Sequence, residues 1–493
     1  MKANYLKIML GCFLGTLLFS CKNTPAPKPN VLLLYMDDLR PQLGCYGQTQ
    51  IQSPNIDKLA KEGIQFNSAY CNVAVCGASR ASMLTGIRPT KNIFRDYKVF
   101  VQEDTPNVTT LPQLFKQNGY TTISNGKIYH HLDDRMSDWN EVWRPYAFDE
   151  NPDGLAPTDW WQSLWCDYLL PKNRAIYKAT NKGPAYEKAE VNDSDYIDGI
   201  LTNKVINDLE ELKNSKQPFF LTAGFISPHL PFNAPALHWN KYPRNTIKKP
   251  YNDFVAKNAP KASISSSAEL HQYTGIPPIG KKVSDSTAIS LIHGYYATVS
   301  YVDALVGKIL AKLKATGLDK NTIIVLVSDH GYNLQEHAQW TKWTSHRTST
   351  QIPLIISSPF IGKSGTTNAL TELVDIYPTL TELCNLEVPK NQLEGKSLVP
   401  ILNNTSLKGK SHIFINNSNA YTIKTPKYSY TEYINKKNNQ TFARMLYDHE
   451  KDPDENENIV ELATYSTIVD KLHNELHTSY RSNIYGDEII KGI

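Results

Sequence analysis

Two short runs hold residues suited to a hard cation. Met36-Asp37-Asp38 and Ser328-Asp329-His330 place three carboxylates and one imidazole directly after continuous apolar stretches. Carboxylate oxygens favour calcium or magnesium over softer metals, so Asp37, Asp38, Asp329 and His330 form a ligand set for one divalent ion. An Asp-Asp pair alone is more often a solvated turn, but two such runs, each closing a buried strand, argue against that reading. Cys76 opens Cys76-Gly77-Ala78-Ser79-Arg80, read as the start of a helix reaching Leu84. A helix N-terminus presents free N–H groups and a positive dipole end to an anion. Arg80, four residues on, shares that face. By themselves, Cys76 reads as a small buried hydrophobe and Arg80 as half of a structural ion pair.

The elements that must position these residues are legible as apolar runs. Residues 31–36, 121–124, 219–225 and 323–328 are continuous rather than alternating, which predicts strands buried on both faces of a mostly parallel sheet. They lead to Asp37-Asp38, Gly126-Lys127, Ser227-Pro228-His229 and Asp329-His330. Open α/β sheets bind ligands beyond the carboxyl ends of their strands, so these four ends should converge. Ser53-Pro54 reads as a helix N-cap and first residue, with Gly63 as the stop. Residues 289–316 predict a long amphipathic helix with Leu291, Tyr295, Val299, Val302, Val306, Ile309 and Leu313 on its apolar face, and Tyr377 to Leu380 opens another. Residues 151–192 and 234–285 are loop-rich, as functional rims often are.

Past about residue 408 the pattern changes to short strands near 412–415, 421–423, 428–431 and 445–448, which fit an antiparallel sheet with a terminal helix. With 493 residues the chain suits a large α/β domain at 30–407 plus a smaller unit at 408–493. Hydrophobic residues at 41% and charged residues at 20% are a globular balance. A net charge of +4, with no basic cluster interleaved with aromatics, gives no reason to expect a nucleic-acid partner. Lys2 and Lys7 precede an apolar run at 8–19, shorter than the roughly 20 residues of a spanning helix, so 1–20 read as a signal peptide. Leu18-Phe19-Ser20-Cys21 resembles a bacterial lipobox, which implies lipidation at Cys21, and residues 21–29 then form a Pro-rich tether. Among the seven cysteines, Cys384 reads as a buried thiol, and the pairing of Cys45, Cys71 and Cys166 stays open.

The extended run Val75-Cys76-Gly77-Ala78-Ser79-Arg80-Ala81-Ser82-Met83-Leu84-Thr85-Gly86 resembles the signature of type I formylglycine-dependent sulfatases. Met36-Asp37-Asp38-Leu39-Arg40-Pro41, Ser53-Pro54-Asn55-Ile56-Asp57, Gly126-Lys127 with His130, and Ser227-Pro228-His229 with Pro231-Phe232 resemble its iduronate-2-sulfatase-like branch. His330, where many sulfatases have Asn, fits the same branch, and Leu446-Tyr447-Asp448 with Asp452-Pro453-Asp454-Glu455 and Asn458 is similar to the C-terminal motif of the family. The resemblance implies an alkaline-phosphatase-like α/β sandwich with a small C-terminal α+β subdomain. It implies that Cys76 becomes 3-oxoalanine (formylglycine) through a maturating enzyme and also faces the metal. Calcium is the first choice of ion and magnesium the second. Arg80 would hold the aldehyde hydrate, Lys127 and Lys342 the sulfate oxygens, and His130 the diol, while His229 protonates the leaving alcohol.

The implied reaction is sulfate ester hydrolysis on a carbohydrate, such as a 2-O-sulfated uronate or an algal ulvan-type unit. Two alternatives are a phosphonate or phosphodiester hydrolase with the same aldehyde, and an unmatured surface glycan-binding lipoprotein. Arg95 and Asp96 are weaker candidates for touching the sugar. Trp160, Trp161 and Trp165 read as core before sugar platforms, and His337, Trp340 and Trp343 flank Lys342 as candidate rim residues. The expected location is a bacterial periplasm or cell surface, with the membrane touched only through the lipid.

Overall fold

The computed structural model describes residues 28–131, 133–145, 167–480 and 484. The expected signal peptide, Cys21, most of the tether, Trp160, Trp161, Trp165 and Cys166 lie outside the described residues. The central sheet has eight strands: β1 (Asn30–Met36), β2 (Ile64–Phe66), β3 (Thr121–Gly126), β4 (Glu141–Trp143), β5 (Phe219–Gly224), β6 (Thr322–Ser328), β7 (Leu354–Ser357) and β8 (Gly365–Thr367). Their spatial order is β8-β2-β7-β6-β1-β5-β3-β4. Only β7 runs against its neighbours. The four strands of the expected site lie side by side and parallel, with Met36 level with Ser328, and Gly126 level with Gly224.

Both faces of the sheet are covered, which is why its strands are apolar without alternation. Leu32, Leu34 and Met36 of β1 pack with α1 (Pro54–Glu62), α3 (Ile197–Leu212) and α4 (Asp285–Ala315). Val31, Leu33 and Tyr35 face α2 (Cys76–Thr85) and α5 (Ile376–Leu383) on the other side. The seven residues expected on the apolar stripe of α4 are all buried. The helix begins at Asp285, four residues earlier than the apolar pattern indicates, because the Ser284 side chain accepts from Thr287 N at 3.2 Å.

α1 starts after Ser53 with Pro54 first, as read, but Ser53 does not cap it. The Ser53 hydroxyl donates to Asp57. The Asp303 carboxylate, from α4, accepts from Asn55 N and Ile56 N at 3.0 and 2.8 Å instead. The segment 151–192, expected to be loop, contains a helix at Pro171–Thr180 and a strand at Tyr186–Ala189 in its described part. Pro171 pre-sets the first turn, and the strand pairs with Phe232–Pro235, a partner too distant to leave a local signal.

The C-terminal region forms an antiparallel sheet of β9 (Ile413–Asn417), β10 (Ala420–Lys424), β11 (Tyr428–Ile434) and β12 (Thr441–Asp448). α6 (Ser466–Ser479) packs its Val469, Leu472 and Leu476 on Ile423, Tyr430 and Leu446. Cys45, Cys71, Cys76 and Cys384 are free thiols, and Cys384 is buried.

Candidate active site

Four adjacent parallel strands bring the site together because their carboxyl ends share one edge. Asp37 and Asp38 follow β1, Lys127 follows β3, His229 lies five residues past β5, and Asp329 and His330 follow β6. The strand ends crowd each other: a Cβ on Gly126, whose φ is +70°, would lie 2.2 Å from the Gly224 carbonyl oxygen. α2 enters from the side, and its first residue, Cys76, is 4% exposed.

Arg80 is fully buried and its guanidinium organises the floor. Nε donates to Asp329 Oδ2 at 2.9 Å, Nη2 to the Met36 carbonyl at 3.3 Å, and Nη1 to the carbonyls of Lys127 and Ile128. Its face lies 4.4 Å from the Tyr35 ring. Burial lowers the pKa of such a cation, but Asp329 and Asp37 outweigh it, so Arg80 stays charged. Lys127 donates to Asp37 Oδ2. Burial pushes the Asp37 carboxyl up, and the Lys127 and Arg80 charges more than reverse this, holding it well below the usual range. Asp329 is pushed up to about 6 by burial and by Asp37, against the pull of Arg80.

Asp38 has a left-handed backbone, with φ at +64°. Its amide donates to Asp329 Oδ1 at 3.2 Å and its carbonyl accepts from Tyr295 Oη at 2.8 Å. Its side chain lies 3.2 Å from His330 Nδ1 and 3.0 Å from Lys342 Nζ. His330 Nδ1 also faces the Gly331 carbonyl at 2.9 Å, which places the proton there and leaves Nε2 a lone pair. Burial lowers His330 to about 4, so it is neutral. Asp37, Cys76, Asp329 and His330 offer ligand atoms within 4.8 Å of one another. Asp37 Oδ1, Asp38 Oδ1 and His330 Nε2 are buried with no hydrogen-bond partner among the described residues. Asp37 Oδ1 and the His330 lone pair, members of that one group, fit a divalent cation, which the protein's own donors do not replace, whereas Asp38, expected in the same set, groups instead with His229 and Glu269. The Cys76 thiol, raised to about 12 by burial against the pull of Lys127 and Lys342, is protonated and inert as it stands.

Above this floor lies a cavity of about 690 Å³ lined by Cys76, His130, His229, Lys342 and Trp343 among others. His229 Nδ1 faces the Leu230 carbonyl at 2.6 Å, so Nε2 points into the site. Burial and Lys342 lower the His229 pKa, and Asp38, Asp37 and Glu269 raise it further, for a net increase. His130 is held well below its ordinary value by burial and Lys127, hence neutral. Arg95 is exposed and Asp96 is tied to Lys98 N at 2.8 Å. Neither lines the cavity, where the next residue, Tyr97, does. Trp343 lines it too, but Trp340 does not, and His337 faces a separate cavity of about 1060 Å³.

Glu269 is the residue that sequence reasoning missed. Its Oε1 accepts from His229 Nε2 at 2.9 Å and from Lys342 Nζ at 2.6 Å. It comes from the irregular segment 234–285, where no periodicity or motif marks it. The turn at Asn417 to Ala420 also lines the cavity, although it belongs to the C-terminal sheet.

The family model described as Sulfatase matches residues 29–386, and that of the N-sulphoglucosamine sulphohydrolase C-terminal region matches 335–482. Iduronate 2-sulfatase of Mus musculus is 31% identical over 78% of this chain and 73% of its own. A sulfatase of Formosa agariphila is 31% identical over 90% of this chain and 86% of its own. A solved structure of a protein with its substrate D-glucosamine-2-N,6-O-disulfate superposes with a TM-score of 0.72 at 24% identity, covering 94% of this chain and 99% of the other. The sandwich is thus alkaline-phosphatase-like, and the chain belongs to the sulfatase family of sulfuric ester hydrolases.

Proposed function

We propose that the enzyme removes sulfate from a sulfated carbohydrate and that Cys76 is first oxidised to formylglycine by a maturating enzyme. The observation that carries this reading is the convergence of Cys76, Lys342 and His229 on one cavity, over a floor where Lys127 donates to Asp37 and where Asp37 Oδ1 and Asp38 Oδ1 have no hydrogen-bond partner among the described residues. A thiol raised to about 12 is a poor nucleophile, so conversion of the side chain explains why a buried cysteine opens the catalytic helix. As its hydrate, that aldehyde would supply a hydroxyl that gives its proton to the neutral His130 and bonds to sulfur in line as the sulfur–oxygen bond to the sugar breaks. His229 delivers a proton to the departing sugar oxygen through Nε2. The second hydroxyl would return a proton to His229 as the carbon–oxygen bond to sulfate breaks, with the proton held by His130 leaving on the sulfate and the aldehyde restored. Water restores the diol, so the net reaction is ester plus water to alcohol plus hydrogen sulfate.

Asp37, Asp38, Asp329 and His330 would hold calcium, with magnesium as the alternative. When bound, that ion withdraws charge from the sulfate oxygens. Lys127 and Lys342 do the same as point charges, and the N-terminus of α2 presents its free amides. Lys342 and His229 both engage Glu269, so sulfate must draw those donors from it. Arg80 keeps the floor fixed through Asp329 and three carbonyls. His130, neutral at the cavity wall, would accept from the diol.

Export and lipidation at Cys21 belong to the same proposal, supported by Leu18-Phe19-Ser20-Cys21. The test is sulfate release from a panel of sulfated oligosaccharides, beginning with uronate 2-sulfates and ulvan units. Activity on an aryl sulfate and on no panel member would sink the carbohydrate reading. Phosphonate or phosphodiester turnover exceeding sulfate turnover at a matched leaving group would sink the sulfate one.

A further inference from the structure

The turn between β9 and β10 carries Asn417, which is 5% exposed. Both its Oδ1 and its Nδ2 are buried without a hydrogen-bond partner among the described residues. It lines the catalytic cavity together with Ser345, 7% exposed, whose Oγ is likewise unpartnered. Leaving a buried amide unsatisfied is unfavourable, because the hydrogen bonds it made to water are lost and not replaced. Three other polar groups that line the cavity are committed: Tyr433 Oη to Met445 Sδ at 3.9 Å, and Lys342 and His229 to Glu269. The backbone fixes the side chain, since Asn417 pairs with Ala420 in the hairpin and Ser418 adopts φ of +62°.

An amide carries an acceptor and donors side by side. Sugar hydroxyls, each able to donate and accept, complement both. A carboxylate complements only the Nδ2 side, and its charge would face the Oδ1 lone pairs. We propose that Asn417, assisted by Ser345, is a substrate-binding site for the hydroxyls of a pyranose ring. The chemistry would then sit on the central sheet and the choice of sugar on the C-terminal sheet. This inference rests on the sulfated-carbohydrate reading.

The test compares kcat/KM of Asn417→Ala on two substrates: the sulfated disaccharide the wild type turns over fastest, and 4-nitrophenyl sulfate, which lacks hydroxyls. Losing the amide's hydrogen bonds should lower the value on the disaccharide about 10- to 100-fold, mainly through KM. The aryl sulfate should stay within about two-fold, which also reports that the variant folds. Ser345→Ala should show the same selectivity at roughly 3- to 10-fold. An unchanged disaccharide value, or equal losses on both substrates, overturns the proposal. A wild type active on the aryl sulfate and on no disaccharide would instead bring down the carbohydrate reading, and this inference with it.

Discussion

Two clusters of charge, one around Arg80 of α2 and one around Arg88 just past its end, differ in how completely they are satisfied. The first is the floor of the active site, with Asp37, Asp38 and Asp329 against Arg80, Lys127 and Lys342. The second is Glu372 and Asp375 against Arg88 and Lys410, where the central sheet meets the C-terminal region. In the second cluster Glu372 Oε1 accepts from Asn72, Arg88 Nε and Phe414 N, and Oε2 from Arg88 and Lys410. Asp375 accepts from Lys410, Lys396 N and Glu372 N. Every carboxylate oxygen there has a partner, so the cluster is finished as a strut. At the active site Asp37 Oδ1, Asp38 Oδ1 and His330 Nε2 have none among the described residues. Burial alone therefore does not distinguish a functional cluster from a structural one. Unspent hydrogen-bonding capacity does.

Breaking the two clusters should have opposite consequences. Cys76→Ala should abolish sulfate release and leave the melting temperature unchanged, because the side chain is small and makes no ion pair. Near wild-type turnover in that variant would end the formylglycine reading, and intact mass of the peptide holding residue 76 checks maturation directly. Next in size, exhaustive chelation or Asp329→Asn should remove most activity, with calcium restoring the chelated wild type. Full activity after verified metal removal would show that these oxygens hold no ion the reaction needs.

His229→Ala sharpens the comparison within the first cluster. A general acid contributes about 10²–10⁴-fold, and chiefly for leaving groups that need a proton. Turnover of a sulfated sugar should fall by that order while an activated aryl sulfate changes far less. Equal losses would instead make His229 a sulfate-binding group.

On the structural side, Glu372→Gln should lower stability by about 3–5 kcal/mol, since it leaves Arg88 and Lys410 buried without their full counter-charge. Activity per folded molecule should be unchanged. Burial pushes Glu372 up, but Arg88 and Lys410 hold it well below the glutamate range in the folded state. Its contribution is therefore complete above an unfolded value of about 4.3 and drains away as pH falls below that. The variant should accordingly lose less stability on acidification than the wild type, read from melting temperature against pH. A parallel acid limb in both proteins would contradict this.

The smallest expected effect belongs to Glu269→Gln. Removing a negative charge that competes with sulfate for Lys342 and His229 should lower KM for an aryl sulfate roughly 3- to 10-fold. An increase in KM would show that Glu269 positions those donors rather than competing for them.

The strand ends were legible because a strand buried on two faces must be apolar throughout, and each such run stopped at a polar residue. Asp37, Lys127, His229 and Asp329 follow from that rule together with the parallel sheet, and Cys76 from a motif confined to one helix. The four strands of the C-terminal sheet were legible from their spacing and their turns. Glu269 was not, since it stands in irregular chain and gains meaning only from Lys342, 73 residues away. Asn417 was equally silent, as one asparagine in a polar hairpin. The capping of α1 by Asp303 rather than Ser53 was a third such choice, made across 248 residues.

Local and periodic features were thus readable from the chain alone: the buried strands, the amphipathic helices, the cysteine motif and the residues that end each strand. Which polar atoms are satisfied and which are left over depended on the packed fold. Hydrogen-bond satisfaction is a sum over neighbours in space, and most neighbours of a site residue here are remote in sequence. Residue type limits what a side chain can do, but only packing settles whether its capacity is already taken.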